Sequence, residues 1–480
     1  MKIEANDFEA LVAAVLVQHI PDCLTLCSVD RLSGGASQET YRIVVETARG
    51  EQLLAMRRGP GGVKVDPMPG HPGLDVEAML MRSARAAGVP EPEIYYVLQD
   101  ADGLGEGFIM EWLEGEALGA RIVRSADFAE LRPRLAYECG KLMARVHQID
   151  LDATELRQHL FEITPAEFVE QSWDRYQLLK TPQPMIDYTA RWLMENLPVA
   201  PSMTLVHNDF RNGNFLVDKT GIVALLDWEI AHIGDPMRDL GWICVNSWRF
   251  GSDKPVGGFG DYEDLFRGYE EVSGQAVNIE QVKFWEVFGS FWWAVGCLGM
   301  AEHYRTGPDQ SVERPTIGRR SSECQVDCVN LLIPGQVTPL QPNTQISSVD
   351  MPRADELLMA VRDFLRDDVM TATSGRLNFL ARVSGNALDI VQREWQLGAG
   401  ARALELTKLK ALFGDAAAQA SDLESLRWRL TNALRDGSQP LADDKLQDYL
   451  RHAVVNQIAI DQPKYSGFKR ATAGAVEQVS

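Results

Sequence analysis

Between Leu205 and Leu240 the chain reads LVHNDFRNGNFLVDKTGIVALLDWEIAHIGDPMRDL, with acid, amide and guanidinium groups at spacings that suit one reaction. Moving a phosphoryl group to a hydroxyl needs a carboxylate to take the alcohol proton. It also needs an amide oxygen and a second carboxylate to hold Mg²⁺ against nucleotide phosphates. Asp209 suits the first task, and Asn214 and Asp227 the second. Arg211, two residues past Asp209, offers a fork of donors to the phosphate in transfer. The elements that must position these groups follow from the apolar pattern. Two β-rich runs, Asn214–Val217 and Ile222–Leu226, flank the polar Asp218–Gly221, which predicts a tight hairpin. His207, Asp209, Arg211 and Asn214 precede its first strand, and Asp227 and Glu229 follow its second, so the hairpin gathers them at one end. Turn-making, the ordinary use of Asp and Gly, accounts for Asp218 and Gly221. It leaves the His, the two Asp, the Arg and the Asn unexplained.

The spacing H-x-D-x-x-x-x-N, followed after a hairpin by a further Asp, matches the catalytic loop and metal-binding Asp of protein kinases. The two strings His207-Asn208-Asp209-Phe210-Arg211-Asn212-Gly213-Asn214 and Leu226-Asp227-Trp228-Glu229-Ile230-Ala231-His232-Ile233-Gly234-Asp235-Pro236-Met237-Arg238-Asp239-Leu240 resemble the aminoglycoside phosphotransferase and choline kinase group of small-molecule kinases. Within that group the branch linked to acyl-CoA dehydrogenases is the most similar. The resemblance implies a bilobal, protein-kinase-like α+β fold, with a small antiparallel β lobe and a larger helical lobe, using ATP and Mg²⁺. It also implies that His207 is a scaffold for the loop rather than a proton carrier.

Upstream, strand-like residues enter and leave Ser33-Gly34-Gly35-Ala36-Ser37. Adjacent glycines let backbone N–H groups approach a phosphate, with the Ser37 hydroxyl as a further donor, although Gly-Gly also makes plain hairpin turns. Gly34, Gly35 and Ser37 match the G-G-x-S that covers the nucleotide phosphates in the resembled family. In the strand Gln52–Arg58, Arg57 stands where kinases carry Lys; it can bridge two phosphate oxygens, or it is one of a solvated Arg-Arg pair. Glu77, in the helix expected over Asp75–Ala87, either pairs with Arg57 or sits exposed in the first turn. Strands at Ile94–Leu98 and Gly107–Trp112 complete a five-stranded lobe. Order and resemblance make Glu111 part of the hinge against which an adenine would lie. His147, at the end of the helical run Pro133–Asp150, reads as structural. Asp235 is expected to cap the next helix and steady the catalytic loop. Glu229 is open between a second metal ligand and a surface acid. The aromatic helix Phe284–Tyr304 is core, and in the resembled kinases it also walls the acceptor pocket.

With 480 residues the chain is too long for one ordinary core. The expected divisions are a nucleotide-binding lobe over 1–112, a helical catalytic lobe over 113–333, a Pro-rich linker over 334–350, a C-terminal α-helical bundle over 351–462 and a loose tail over 463–480. The bundle's helices are expected at Pro352–Met370, Leu377–Trp395, from the capping box Ser421-Asp422-Leu423-Glu424 to near Gly437, and at Lys445–Ile460. They carry no readable chemistry and resemble a domain of unknown function that accompanies such kinases in bacteria. Their amphipathic faces suit self-association or a protein partner. A net charge of −21 argues against nucleic acid or an anionic membrane as partner. Seven Cys make no disulfide framework. Cys23/Cys27 and Cys324/Cys328 would each share a helix face, more simply as buried thiols than as metal ligands. The N-terminus reads as an amphipathic helix, not a signal peptide, and with no apolar run of membrane-spanning length a reducing cytoplasm is expected. Together these features predict a kinase acting on a hydroxyl of a small metabolite. The branch resembled suggests a hydroxyacyl-CoA acceptor, and the wider family an aminoglycoside or choline-like alcohol. A catalytically silent nucleotide sensor is the rival reading.

Overall fold

The computed structural model describes residues 5–32, 38–63, 71–199, 202–343, 351–414 and 422–473. They form an α+β chain that packs as two compact units. One comprises the described residues of Met1–Thr164, Ala200–Cys244 and Trp248–Val282; the other, those of Pro165–Val199, Val245–Ser247 and Lys283–Ser480.

The first unit opens with the helix Ala5–His19 and an antiparallel sheet of β1 (Cys23–Arg31), β2 (Glu39–Thr47), β3 (Gly50–Arg58), β4 (Ile94–Val97) and β5 (Gly107–Glu111), in the order β1-β2-β3-β5-β4. Alternation decides what each strand buries. Tyr41, Ile43 and Val45 of β2 and Leu54 and Met56 of β3 face one side, against Val12, Val15 and Leu16 of the first helix and Ile20 just beyond it. Arg57, which follows Met56 and so points to the opposite face of β3, pairs in register with Thr40 and Phe108. The helix Leu74–Ala86 carries Glu77 on its buried face.

The catalytic stretch folds as two small ladders. β6 (Thr204–Val206) pairs with β9 (His232–Gly234), and between them β7 (Phe215–Val217) pairs with β8 (Ile222–Leu225). The chain thus leaves one ladder at 207, makes the expected hairpin, and returns to the same ladder at 232. This topology forces the loops 207–214 and 226–231 to lie together. Asp218 closes the hairpin turn, accepting from the Thr220 and Gly221 N–H groups at 2.6 and 3.1 Å. Below the loops, the helices Arg132–His147 and Tyr262–Ser273 cross in close contact at two glycines. A Cβ on Gly140 would come within 2.1 Å of the Leu265 carbonyl oxygen, and one on Gly268 within 2.1 Å of that of Tyr137.

In the second unit a single apolar core joins helices from distant parts of the chain. Met185 and Tyr188 (helix Pro184–Glu195) and Val326, Cys328 and Val329 (Ser321–Leu332) are packed with Leu409, Leu430, Leu434, Val455 and Ile458. Those last five come from the helices Gly375–Phe413, Leu423–Arg435 and Asp444–Asp461. Several expectations are corrected here. The described part of the presumed linker is fastened down: the Val337 N–H donates to the Ala471 carbonyl at 3.0 Å, Leu340 N–H to Asn456 Oδ1 at 3.0 Å, and Asn343 N–H to the Gln396 carbonyl at 3.1 Å. Ser466–Thr472, expected to be loose, is a helix with Ala471 buried. The helix expected over Leu377–Trp395 runs on to Phe413, through Gly398 and Gly400. Asp422 caps the following helix, accepting from Ser425 N–H at 2.8 Å; Ser421 lies outside the described residues. Cys23 and Cys27 lie on a strand, with Cys27 exposed, whereas Cys324 and Cys328 are buried on a helix. No helix among the described residues is long and apolar enough to cross a membrane.

Candidate active site

The loop 207–214 is held from beneath by one buried carboxylate. Asp239, fully buried in the helix Met237–Cys244, accepts the backbone N–H of His207 at 2.8 Å on Oδ2 and that of Asn208 at 2.7 Å on Oδ1. His147 Nε2 meets the same Oδ2 at 3.0 Å, and its Nδ1 lies 3.0 Å from the Tyr269 hydroxyl. Burial opposes the charge on Asp239, but these donors win and hold its carboxyl below the ordinary value. Asn208 takes φ +67°, a left-handed conformation, and its Oδ1 accepts from Arg238 Nε at 2.9 Å. Burial lowers Arg238 to about 10, against support from Asp239 and Asp209.

His207 ties this loop to the next one. Its Nε2 lies 3.0 Å from the Leu226 carbonyl oxygen and its Nδ1 accepts the Asp209 N–H at 3.3 Å, so the ring is neutral with its proton on Nε2. Burial agrees, lowering its pKa. Leu226 is bonded on its other side as well, its N–H donating to the Asn214 carbonyl at 2.7 Å. One residue, Leu226, thereby pins the loop bearing Asp209 and Asn214 to the peptide that precedes Asp227.

Asp209 is oriented by three donors. Trp242 Nε1 and Arg211 Nε reach Oδ1 at 2.7 and 3.0 Å, and Asn214 Nδ2 reaches Oδ2 at 2.5 Å. The Arg211 guanidinium lies 4.3 Å from the Trp248 ring centre. With its amide nitrogen committed to Asp209, Asn214 keeps Oδ1 as an acceptor with no donor among the described residues. Asp227, at φ +71°, takes Arg57 on Oδ1 at 2.6 Å and leaves Oδ2 equally open.

Around Arg57 three carboxylates converge: Glu77 at 3.2 Å, Asp227 at 2.6 Å and Glu229 at 3.8 Å. Gln38 accepts from Arg57 Nε and donates to Glu229 Oε2 at 3.4 Å. Three acids thus face one guanidinium. Arg57 keeps its proton despite burial because Glu77 and Asp227 face it. Burial pushes Glu77 up to about 7, with Arg57 opposing and Asp227 and Glu229 adding to the rise.

The candidate residues of the sequence thus fall into three groups. Asp209, Arg211 and Asn214 form one knot, and Arg57, Glu77 and Asp227 form a second, joined to it through Leu226. Glu77 is buried and paired, not exposed, and Arg57 is not a solvated surface cation. Glu229 faces Arg57 and is no isolated surface acid. Glu111 stands apart: its backbone N–H donates to the Glu93 carbonyl at 2.8 Å, and its side chain accepts from the Glu93 N–H at 3.2 Å and faces Arg85 at 3.8 Å. Gly34, Gly35 and Ser37 lie outside the described residues. Asp235 caps its helix as expected, accepting from Met237 N–H at 2.9 Å, but the loop is steadied by Asp239. Asp239, Trp242, Gln38 and the His147–Tyr269 pair are the parts that sequence reasoning missed. The spacing Asp235-x-x-x-Asp239 on a helix facing the loop was the available signal for Asp239.

Among the described residues, no group of three or more His, Cys, Asp or Glu could by itself hold a metal. Two open oxygens, Asn214 Oδ1 and Asp227 Oδ2, do fit Mg²⁺ as it binds with nucleotides, where phosphates supply the remaining ligands.

The chain is similar to known proteins over both parts of its length. Residues 371–465 match the model of a domain of unknown function (DUF6285). The chain is 26% identical over 338 residues to mouse acyl-CoA dehydrogenase family member 10, covering 66% of this chain and 30% of that protein. It is 24% identical over 408 residues to mouse acyl-CoA dehydrogenase family member 11, covering 78% and 50%. It therefore spans half or less of the length of these two relatives. A solved structure from Ralstonia eutropha assigned to the aminoglycoside phosphotransferases shares the fold, with a TM-score of 0.54 at 23% identity over 66% of this chain and 95% of that one. Residues 28–274, which hold every group just described, match the model of the phosphotransferase enzyme family, and the chain belongs to that family.

Proposed function

We propose that this phosphotransferase is a small-molecule kinase that moves the γ-phosphoryl group of ATP to a hydroxyl of a metabolite. The observation that supports it most is the Leu226 tie, which draws an oriented carboxylate, Asp209, and two open oxygens, on Asn214 and Asp227, into one neighbourhood. Asp209 takes the hydroxyl proton as the acceptor oxygen bonds to the γ-phosphorus and the bond to the β–γ bridging oxygen breaks, releasing ADP. Trp242 and Arg211 keep the Asp209 carboxylate aimed, and the remaining Arg211 donors face the transferred phosphate. Arg57, drawn from its acids, bridges nucleotide phosphate oxygens, with Glu77 keeping it in place. Asn214 and Asp227 would hold Mg²⁺, which supplies charge neutralisation at the phosphates.

For the acceptor, the relatives named as acyl-CoA dehydrogenase family members make hydroxyacyl-CoA thioesters the first class to try, ahead of aminoglycosides and choline-like alcohols. Asp209→Asn is expected to bind nucleotide as the wild type does and to lose about 10²–10⁴-fold in ADP formation, the usual worth of a general base. Unchanged turnover would refute the role of Asp209. Nucleotide binding without Mg²⁺-dependent ADP from any hydroxylated acceptor would instead assign the chain as a nucleotide-sensing module.

A further inference from the structure

The second compact unit contains a cleft of about 480 Å³ with an electrostatic character opposite to that of the chain as a whole. Its walls carry five cations, Arg319, Arg320, Arg366, Arg393 and Lys464. Only three acids share them: Glu323, Asp389 and Asp461. Each acid already has its own arginine. Arg320 Nε lies 3.1 Å from Glu323, Arg366 Nη2 2.6 Å from Asp389, and Arg319 Nε 2.6 Å from Asp461. That leaves Arg393 and Lys464 without a carboxylate partner among the described residues.

Arg393 is held in place by backbone alone. Its Nε donates to the Ile460 carbonyl at 2.5 Å and its Nη2 to that of Asp461 at 3.0 Å, at the end of the helix Asp444–Asp461. Its Nη1 donates to none of the described residues. A guanidinium does not escape burial by losing its proton, so a fixed cation in this position favours an anion. Burial, with Arg319 and Arg366 adding to it, pulls the Arg393 pKa down against Asp389 and Asp461, as expected where local potential is positive.

We propose that this cleft is a binding site for the phosphate monoester group of an organic ligand. The charge count selects the group. Two spare cations match the charge of about −1.5 to −2 that a phosphate monoester carries near neutral pH, whereas a carboxylate would use only one of them. The Arg393 fork, anchored on one side and open on the other, suits phosphate oxygens. The volume lies in the range of pockets for whole small molecules and is more than bare phosphate requires. Asp389, Arg393, Asp461 and Lys464 all fall within the segment matched to the domain of unknown function, so that segment gains a ligand class.

The test is calorimetric titration of the full chain with adenosine 3′-monophosphate and, separately, with inorganic phosphate. The ester is expected to bind, and more tightly than inorganic phosphate. Arg393→Gln, which can still reach a backbone carbonyl, should weaken it roughly ten- to hundredfold, the worth of a hydrogen bond to a charged group. Lys464→Ala, at an exposed position with no partner among the described residues, should weaken it several-fold and serves if the arginine variant misfolds. Both variants should form ADP at the wild-type rate. Absence of binding at millimolar ester, or equal affinity in wild type and variants, would overturn the site. Phosphate binding as tightly as the ester would overturn its assignment to an organic phosphate.

Discussion

Asp239→Asn removes a charge and one acceptor while preserving shape, which makes it a severe test of how the catalytic loop is held. The carboxylate serves three donors: the His207 N–H and His147 on one oxygen, and the Asn208 N–H on the other. An asparagine oriented to keep the first two turns its NH₂ toward the Asn208 N–H, leaving a buried donor unmet at about 1–3 kcal/mol. The two retained bonds fall from charge-assisted to neutral strength, about 0.5–1.5 kcal/mol each. The total is about 2–6 kcal/mol, centred near 4 kcal/mol. Arg238 also loses a supporting charge. Part of the loss should appear as displacement of Asp209, and misplacement by about 1 Å is worth about 10²-fold in rate. Urea denaturation followed by tryptophan fluorescence, with ADP release and nucleotide affinity measured on the folded variant, separates the effects. The expected pattern is a lower midpoint, a rate down about a hundredfold and nucleotide affinity within threefold of wild type. Wild-type stability together with wild-type turnover would show that the loop does not depend on Asp239.

Two further outcomes follow from the same structure. Burial holds Glu77 at about 7, against 4.5 in the unfolded chain, so the folded state keeps a proton that the unfolded chain gives up between those values. This contribution is full below about pH 4.5 and lost as pH rises through 7; Glu77→Gln should abolish that slope and leave the protein up to ~3 kcal/mol more stable than wild type at pH 8, whereas a difference that does not vary with pH would contradict it. Ending the chain at Gln462 removes Tyr465, which donates to Asp327 at 2.6 Å, Gly467, whose carbonyl accepts from Asn330 at 2.9 Å, and the Ala471 carbonyl that receives the Val337 N–H. The melting temperature should fall by roughly 5 °C or more, and an unchanged value would mean that this segment is as loose as its sequence suggests.

What the sequence revealed depended on distance along the chain. His207, Asp209, Asn214 and Asp227 were legible because their relation is local, one loop and one hairpin, with spacing that carries the geometry. The five-stranded sheet was legible because alternation marks each strand. Asp239 was not, because it acts on residues 31 and 32 positions away through their backbone N–H groups, which leave no side-chain signature. Trp242 has a buried ring, and the direction of one N–H, which no sequence pattern reports, makes it part of the site. Glu77 was ambiguous because pairing across a sheet and a helix depends on tertiary packing. The helix expected over Leu377–Trp395 was read too short because apolar period does not mark where a helix ends, and tertiary packing around Leu397 and Leu409 carries it through Gly398 and Gly400. The three Pro of the supposed linker suggested an unattached tether, but Pro is equally at home in an extended strap that is hydrogen-bonded at other residues.

The apolar core of the second unit has a consequence for inheritance. Met185 and Val326 belong to the middle of the chain and Leu430 and Ile458 to its last quarter, yet all four fill one volume. A methylene gained or lost in one segment can be offset only by a change in the other. The two stretches are thus bound to vary together and to melt together, and neither would be exchanged for a homologous piece without carrying its counterpart along.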